Sequence, residues 1–106
     1  MPARTLPGMG TVTFVDETTT GGRTAGPRLP VTEERLTLRE LIRRRVEHET
    51  AHASHEEAFA RAVEAFGRNG FLVLVGDRQV EELDETVTVD PETEVVFLRL
   101  VPLVGG

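Results

Sequence analysis

The sequence predicts an α+β domain, a mixed sheet of four to five strands with one or two helices packed on one face. Two observations carry this. Segments with the two-residue period of strands stand at both ends of the chain, and apolar stripes with helical spacing stand only between them. A third is that glycine or proline punctuates most of the junctions.

The first strand is read from Gly10-Thr11-Val12-Thr13-Phe14-Val15-Asp16, whose alternation puts Val12 and Phe14 on one face. Residues 1–9 carry two prolines and a glycine without a period and are expected to be a flexible lead-in. Thr18 to Gly26 is rich in Thr and Gly and reads as a long mobile loop. Arg28-Leu29-Pro30-Val31 follows as a short strand, which its prolines confine to a sheet edge.

Thr37-Leu38-Arg39-Glu40 has the form of a capping box, and Leu38, Leu41, Ile42 and Val46 continue it as a helical stripe. A second box, Ser54-His55-Glu56-Glu57, precedes Ala58, Phe59, Ala62, Val63 and Phe66. Two helices with a break near Thr50–Ala53 are expected, or one long bent helix if Ser54 is carried through it. Phe71–Val75 is too short for a helix and is bounded by glycines, so it is a strand turning at Gly76-Asp77 into Arg78-Gln79-Val80. Thr86–Val89 alternates, Asp90-Pro91-Glu92-Thr93 turns, and Glu94–Val101 forms the last strand. Leu41, Ile42, Phe59, Val63, Phe97 and Val12 are the expected core.

The last strand is apolar on both faces, with Val96, Leu98 and Leu100 on one and Val95, Phe97 and Val101 on the other, where Arg99 also lies. Helices cover one side of so small a sheet. The other is either covered by the N-terminal segment or the long loop, or left as an apolar patch for a partner.

At 106 residues the chain holds one domain, here residues 10–101, with about 50–70 as a helical insertion. There is no Cys, which excludes disulfides, thiolate metal sites and a cysteine nucleophile. A net charge of −6 argues against a partner that is nucleic acid. The longest apolar runs, Phe71–Val75 and Leu100–Leu103 with Val104, are too short to span a membrane. Met1-Pro2-Ala3-Arg4-Thr5 has no apolar stretch behind its Arg, so a cytoplasmic location is expected. All twelve basic residues are Arg, which codon bias in a GC-rich genome explains, and no lysine amine is present.

His48, His52 and His55 would stack three imidazoles on one continuous helix, with Glu49 and Glu56 nearby as further metal donors. The expected helix break scatters them, so they are weak metal candidates beside a reading as solvated surface. Arg43-Arg44-Arg45 reads as a solvated basic face. Gly21-Gly22 and Gly26 lack the Lys and Ser/Thr of a phosphate loop.

From Phe71 to Gly106 the chain resembles the ubiquitin-like sulfur carriers, namely the molybdopterin-synthase small subunit and the thiamin-biosynthesis carrier. The matching features are the strand before Val75-Gly76-Asp77-Arg78, then Val80 and Leu83, an acidic turn, a Val-Phe-Leu strand, and Pro102-Leu103-Val104-Gly105-Gly106 at the end. Thr37-Leu38-Arg39-Glu40-Leu41 resembles the opening of that family's helix. The chain departs from the pattern at Gly76-Asp77, at Pro91-Glu92-Thr93-Glu94 and in the extra helical segment.

The resemblance implies a β-grasp fold with a flexible tail over 102–106 and no catalytic residue or bound cofactor of its own. It implies that an activating enzyme uses ATP to adenylate Gly106, with Gly105 letting the backbone thread a narrow channel. Pro102, Leu103 and Val104, with Phe97 and Arg99 leading into them, would contact partners. The carboxylate would then pass as a thiocarboxylate to a sulfur-accepting biosynthetic enzyme. Alternatively it would pass through a conjugating enzyme to amines of target proteins. A third expectation, from a different class, is a non-covalent interaction module.

Overall fold

The computed structural model describes residues 10–100. The expected lead-in over 1–9, Val101 and the expected tail over 102–106 lie outside the described residues. In chain order the elements are β1 (Gly10–Thr18), β2 (Arg23–Val31), β3 (Arg35–Thr37), α1 (Leu38–Glu49), a 3₁₀ turn (His52–Ser54), α2 (His55–Gly67), β4 (Phe71–Val75), β5 (Arg78–Val80), β6 (Thr86–Thr88) and β7 (Thr93–Arg99). The fold is α+β. A mixed five-stranded sheet has the order β2-β1-β7-β4-β5, and β3 and β6 form a separate two-stranded ladder.

The opening hairpin is longer and tighter than its composition suggests. The expected loop from Thr18 to Gly26 is a turn of four residues between two nine-residue strands. Asp16 pairs with Thr24 and Glu17 with Arg23. The turn is closed by Thr18, whose hydroxyl and carbonyl accept N–H groups of Gly22 and Gly21 at 3.0 Å. Pro27 and Pro30 fit within β2 because its outer edge needs no ladder donors. Gly26 sits opposite a register shift between Thr13 and Val15, where a Cβ would come within 3.0 Å of the Phe14 carbonyl oxygen.

The capping box forms as expected. Thr37 Oγ1 accepts the Glu40 N–H at 3.1 Å and the Glu40 carboxylate accepts the Thr37 N–H at 3.1 Å. The second box does not form. Ser54 ends the 3₁₀ turn and makes no side-chain cap, although α2 still begins at His55. The break between the helices is therefore real but made differently. Thr50 turns its hydroxyl back onto the Val46 carbonyl at 2.7 Å and leaves the helix in an extended conformation. At its other end α2 closes with Asn69 at φ 60° and the Gly70 N–H bonded to the Ala65 carbonyl at 2.7 Å, a Schellman ending. Gly76 takes φ 62° at the first position of the two-residue β4–β5 loop, as a II′ hairpin requires.

Both helices lie against one sheet face. Leu38, Leu41 and Ile42 from α1 are buried with Val12, Phe14, Val73, Val80 and Val95 from the sheet. Leu36 and Val87 from the small ladder seal one end of the core. Phe59, Ala62 and Phe66 of α2 and Phe97 of β7 are half-buried against this cluster. Val63, expected in the core, is half-buried and outside the cluster, because α2 packs chiefly on α1 rather than on the sheet.

The opposite sheet face is also apolar. Leu72 pairs with Leu98, Leu74 with Val96, and Val15 with Val96 on one continuous surface. Val15 and Val96 are buried at its centre, Leu72, Leu74 and Leu98 are half-buried, and Leu100 is 38% exposed beyond β7. The expected long loop cannot cover this face, since its residues are the β1–β2 hairpin itself. Arg23 rims it, bound to Glu17 and, at 3.2 Å, to Glu94. No helix among the described residues is long and apolar enough to cross a membrane.

Leu41 is 1% exposed in the centre of the cluster, so Leu41→Ala should destabilise the fold by about 2–5 kcal/mol. Urea denaturation would measure this, with an unchanged m-value marking a pure stability effect.

Candidate functional site

At the end of the sheet where β7 finishes, a cleft of about 520 Å³ opens between the strands and the C-terminal half of α1. Its floor follows from strand register. Asp16 stands between Thr24 of β2 and Phe97 of β7, and one row further Arg99 stands between Thr18 of β1 and Phe71 of β4. Its roof is Ile42, Arg45, Val46 and Glu49, residues that helical spacing puts on one side of α1. Ala62 of α2 closes the flank.

Arg45 governs this cleft. The residue is 7% exposed, an unusual depth for a guanidinium. Its planar fork is satisfied by two carboxylates. Nη1 and Nη2 donate to Asp16 Oδ1 and Oδ2 at 2.7 and 2.5 Å, and Nε and Nη2 donate to Glu49 Oε1 and Oε2 at 3.1 and 3.3 Å. The guanidinium carbon also lies 5.0 Å from the Phe97 ring centroid and 5.5 Å from that of Phe14. Burial works against the charge, but the bonds Arg45 donates to Asp16 and Glu49 and their negative charges outweigh it and hold the group above its ordinary value. Arg45 is cationic at every working pH.

The basic triplet is therefore not a solvated face. Arg45 points inward, Arg44 donates to Glu33 at 2.5 Å, and Arg43 lies 3.9 Å over the Phe59 ring while bonding Glu56 at 2.9 Å. Arg43 thereby ties α2 to α1. The bond from Arg44 holds the Glu33 carboxyl below the usual range. Arg45 was detectable beforehand, because it falls in the stripe Leu38, Leu41, Ile42, Arg45, Val46, Glu49.

Phe97 faces the helices, edge-on to Phe14 at 5.5 Å and near Phe71 at 5.1 Å, so its ring builds the cleft floor. Arg99 is exposed at the cleft rim and makes no ion pair with a described residue. Pro102, Leu103, Val104, Gly105 and Gly106 lie outside the described residues. His48 lies in the last turn of α1, while His52 and His55 meet edge to face at 5.1 Å across the interhelical turn. His55 Nε2 is 3.2 Å from the Thr50 carbonyl, so this nitrogen donates to a helix-end acceptor. No group of three metal-donor side chains is found among the described residues.

No protein-family model matches the chain, and no curated protein is similar to it in sequence. Among solved structures, a superantigen-like protein from Staphylococcus aureus in complex with sialyl-Lewis X matches 85% of this chain at 13% identity, with a TM-score of 0.37. The chain spans about half of that protein, 51% of its length.

Replacing Arg45 with Met leaves Asp16 and Glu49 without their shared cation, at a cost of about 1–3 kcal/mol because both carboxylates stay partly hydrated. Arg45→Lys should recover less than half of that, since an ammonium cannot bridge both groups in a plane. Thermal and denaturant unfolding of the two variants measure the difference.

Proposed function

We propose that this chain is a β-grasp carrier of the ubiquitin-like type, acted on by an activating enzyme rather than catalysing a reaction. One observation carries the reading. β7, the central strand of the sheet, is paired on both edges and ends at Arg99, so the sequence Pro102-Leu103-Val104-Gly105-Gly106 follows it after a few residues. A sheet followed within a few residues by a side-chain-free Gly-Gly pair suits a substrate whose carboxylate must enter another protein's ATP site. The sheet order supports the same reading, with β1 and β7 parallel at the centre and a helix held across them.

The Gly106 carboxylate would be adenylated with release of pyrophosphate, and sulfide would displace AMP to leave a thiocarboxylate. The apolar face of Leu72, Leu74 and Leu98, with Leu100 at its edge, would provide the docking surface for the activating enzyme. Such a carrier would work in the cytoplasm, where ATP and the activating enzyme are found.

A second reading, conjugation of Gly106 to target amines, is favoured by α2, which the sulfur carriers named above do not need. The lysine-free sequence would then prevent isopeptide chains between copies on any side-chain amine.

Incubation with the cognate activating enzyme, ATP and sulfide should replace one oxygen by one sulfur, read by intact mass. Thiol-stable adducts to other proteins without that exchange would favour conjugation. An unchanged mass in the presence of an enzyme active on its own carrier would overturn both.

A further inference from the structure

The cleft beside Arg45 holds charges that the fold leaves incompletely matched. Asp16 and Glu49 share one guanidinium, so the trio has a negative charge in excess, and their side chains are 44% and 47% exposed. Arg99, one row further along the same sheet face, is an exposed cation with no ionic partner among the described residues. Adjacent rows on one face are separated by about 6.5–7 Å. At that distance Arg99 forms no ion pair with Asp16 or Glu49, and Phe97 stands beside Asp16 in the same row.

We propose that the cleft binds a small dipolar molecule, an α-amino acid with an apolar side chain. Its ammonium would donate to the outward oxygens of Asp16 and Glu49, and its carboxylate would accept from Arg99. An ammonium and carboxylate on one carbon, each with a hydrogen bond of about 2.8 Å, bridge groups roughly 8 Å apart. The side chain would lie on Phe71, Phe97, Val46 and Ala62, which line the same space. The volume of about 520 Å³ is within the range of small-ligand sites and ample for such a molecule. Arg45 is a positioning residue here. Its four bonds fix both carboxylates, each oxygen accepting one of them and having the capacity to accept another. This inference does not rest on the tail chemistry, and its test needs no activating enzyme.

Titrating the ¹⁵N-labelled full chain with L-leucine or L-phenylalanine should give saturable amide shifts centred on Asp16–Thr24, Arg45–Glu49 and Phe97–Arg99. N-acetyl-leucine, which lacks the cation, and leucinamide, which lacks the carboxylate, should each bind about tenfold or more weakly. Arg99→Gln, at an exposed position that leaves the core intact, should bind leucine and leucinamide equally. Glu49→Gln should weaken leucine and leucinamide alike, and far less so N-acetyl-leucine. No saturable shift with either amino acid would overturn the proposal. So would saturation centred elsewhere, or equal binding of the amino acid and both blocked analogues.

Discussion

The parallel pairing of β1 with β7 is the constraint around which the rest of this molecule is arranged. Parallel neighbours cannot be joined by a tight turn, so the chain between them must leave the sheet and return. It does so through α1 and α2, whose apolar sides cover one face of the sheet. The register of that one pair sets the rows of the sheet. Phe14 beside Val95 forms the centre of the core, and Asp16 beside Phe97 forms the floor of the cleft. The antiparallel partners β2 and β4 extend each row outward.

Arg45 follows from this arrangement. Toward its C-terminal end α1 passes over Asp16, where a purely apolar stripe would have left a half-buried carboxylate without a cationic partner. A guanidinium there meets Asp16 in bidentate geometry, reaches Glu49 one turn along its own helix, and lays its flat face near two Phe rings. The cost of desolvating the cation is offset by four charge-assisted bonds, and both carboxylates keep part of their hydration. The result is a polar-ended cleft between the sheet and α1.

Much of this was legible in the sequence, for identifiable reasons. Thr37 and Glu40 marked a helix start because their reciprocal bonds are local, and Gly76-Asp77 marked a hairpin because its backbone demand is local too. The errors came where tertiary pairing overrode local preference. Thr18–Gly26 carries turn-forming residues, yet pairing with β1 holds most of β2 extended, and the edge position excuses its prolines. Arg35–Thr37 is too short to announce itself and becomes a strand only because Thr86–Thr88 lies beside it. Ser54 had the composition of a cap but not the backbone angles, having been drawn into a 3₁₀ turn. The cleft was harder to foresee. Its residues come from four strands and both helices, and what unites them is register and packing, although Arg45 did carry a signal in its place on the apolar stripe.

Native-state hydrogen exchange tests the primacy of the β1–β7 pair most directly. The inner amides of both strands should exchange only through global unfolding, at a free energy equal to that from denaturation, while β2, β5 and the β3–β6 ladder open at lower cost. Exchange of β7 amides through a local opening that leaves β1 protected would contradict it.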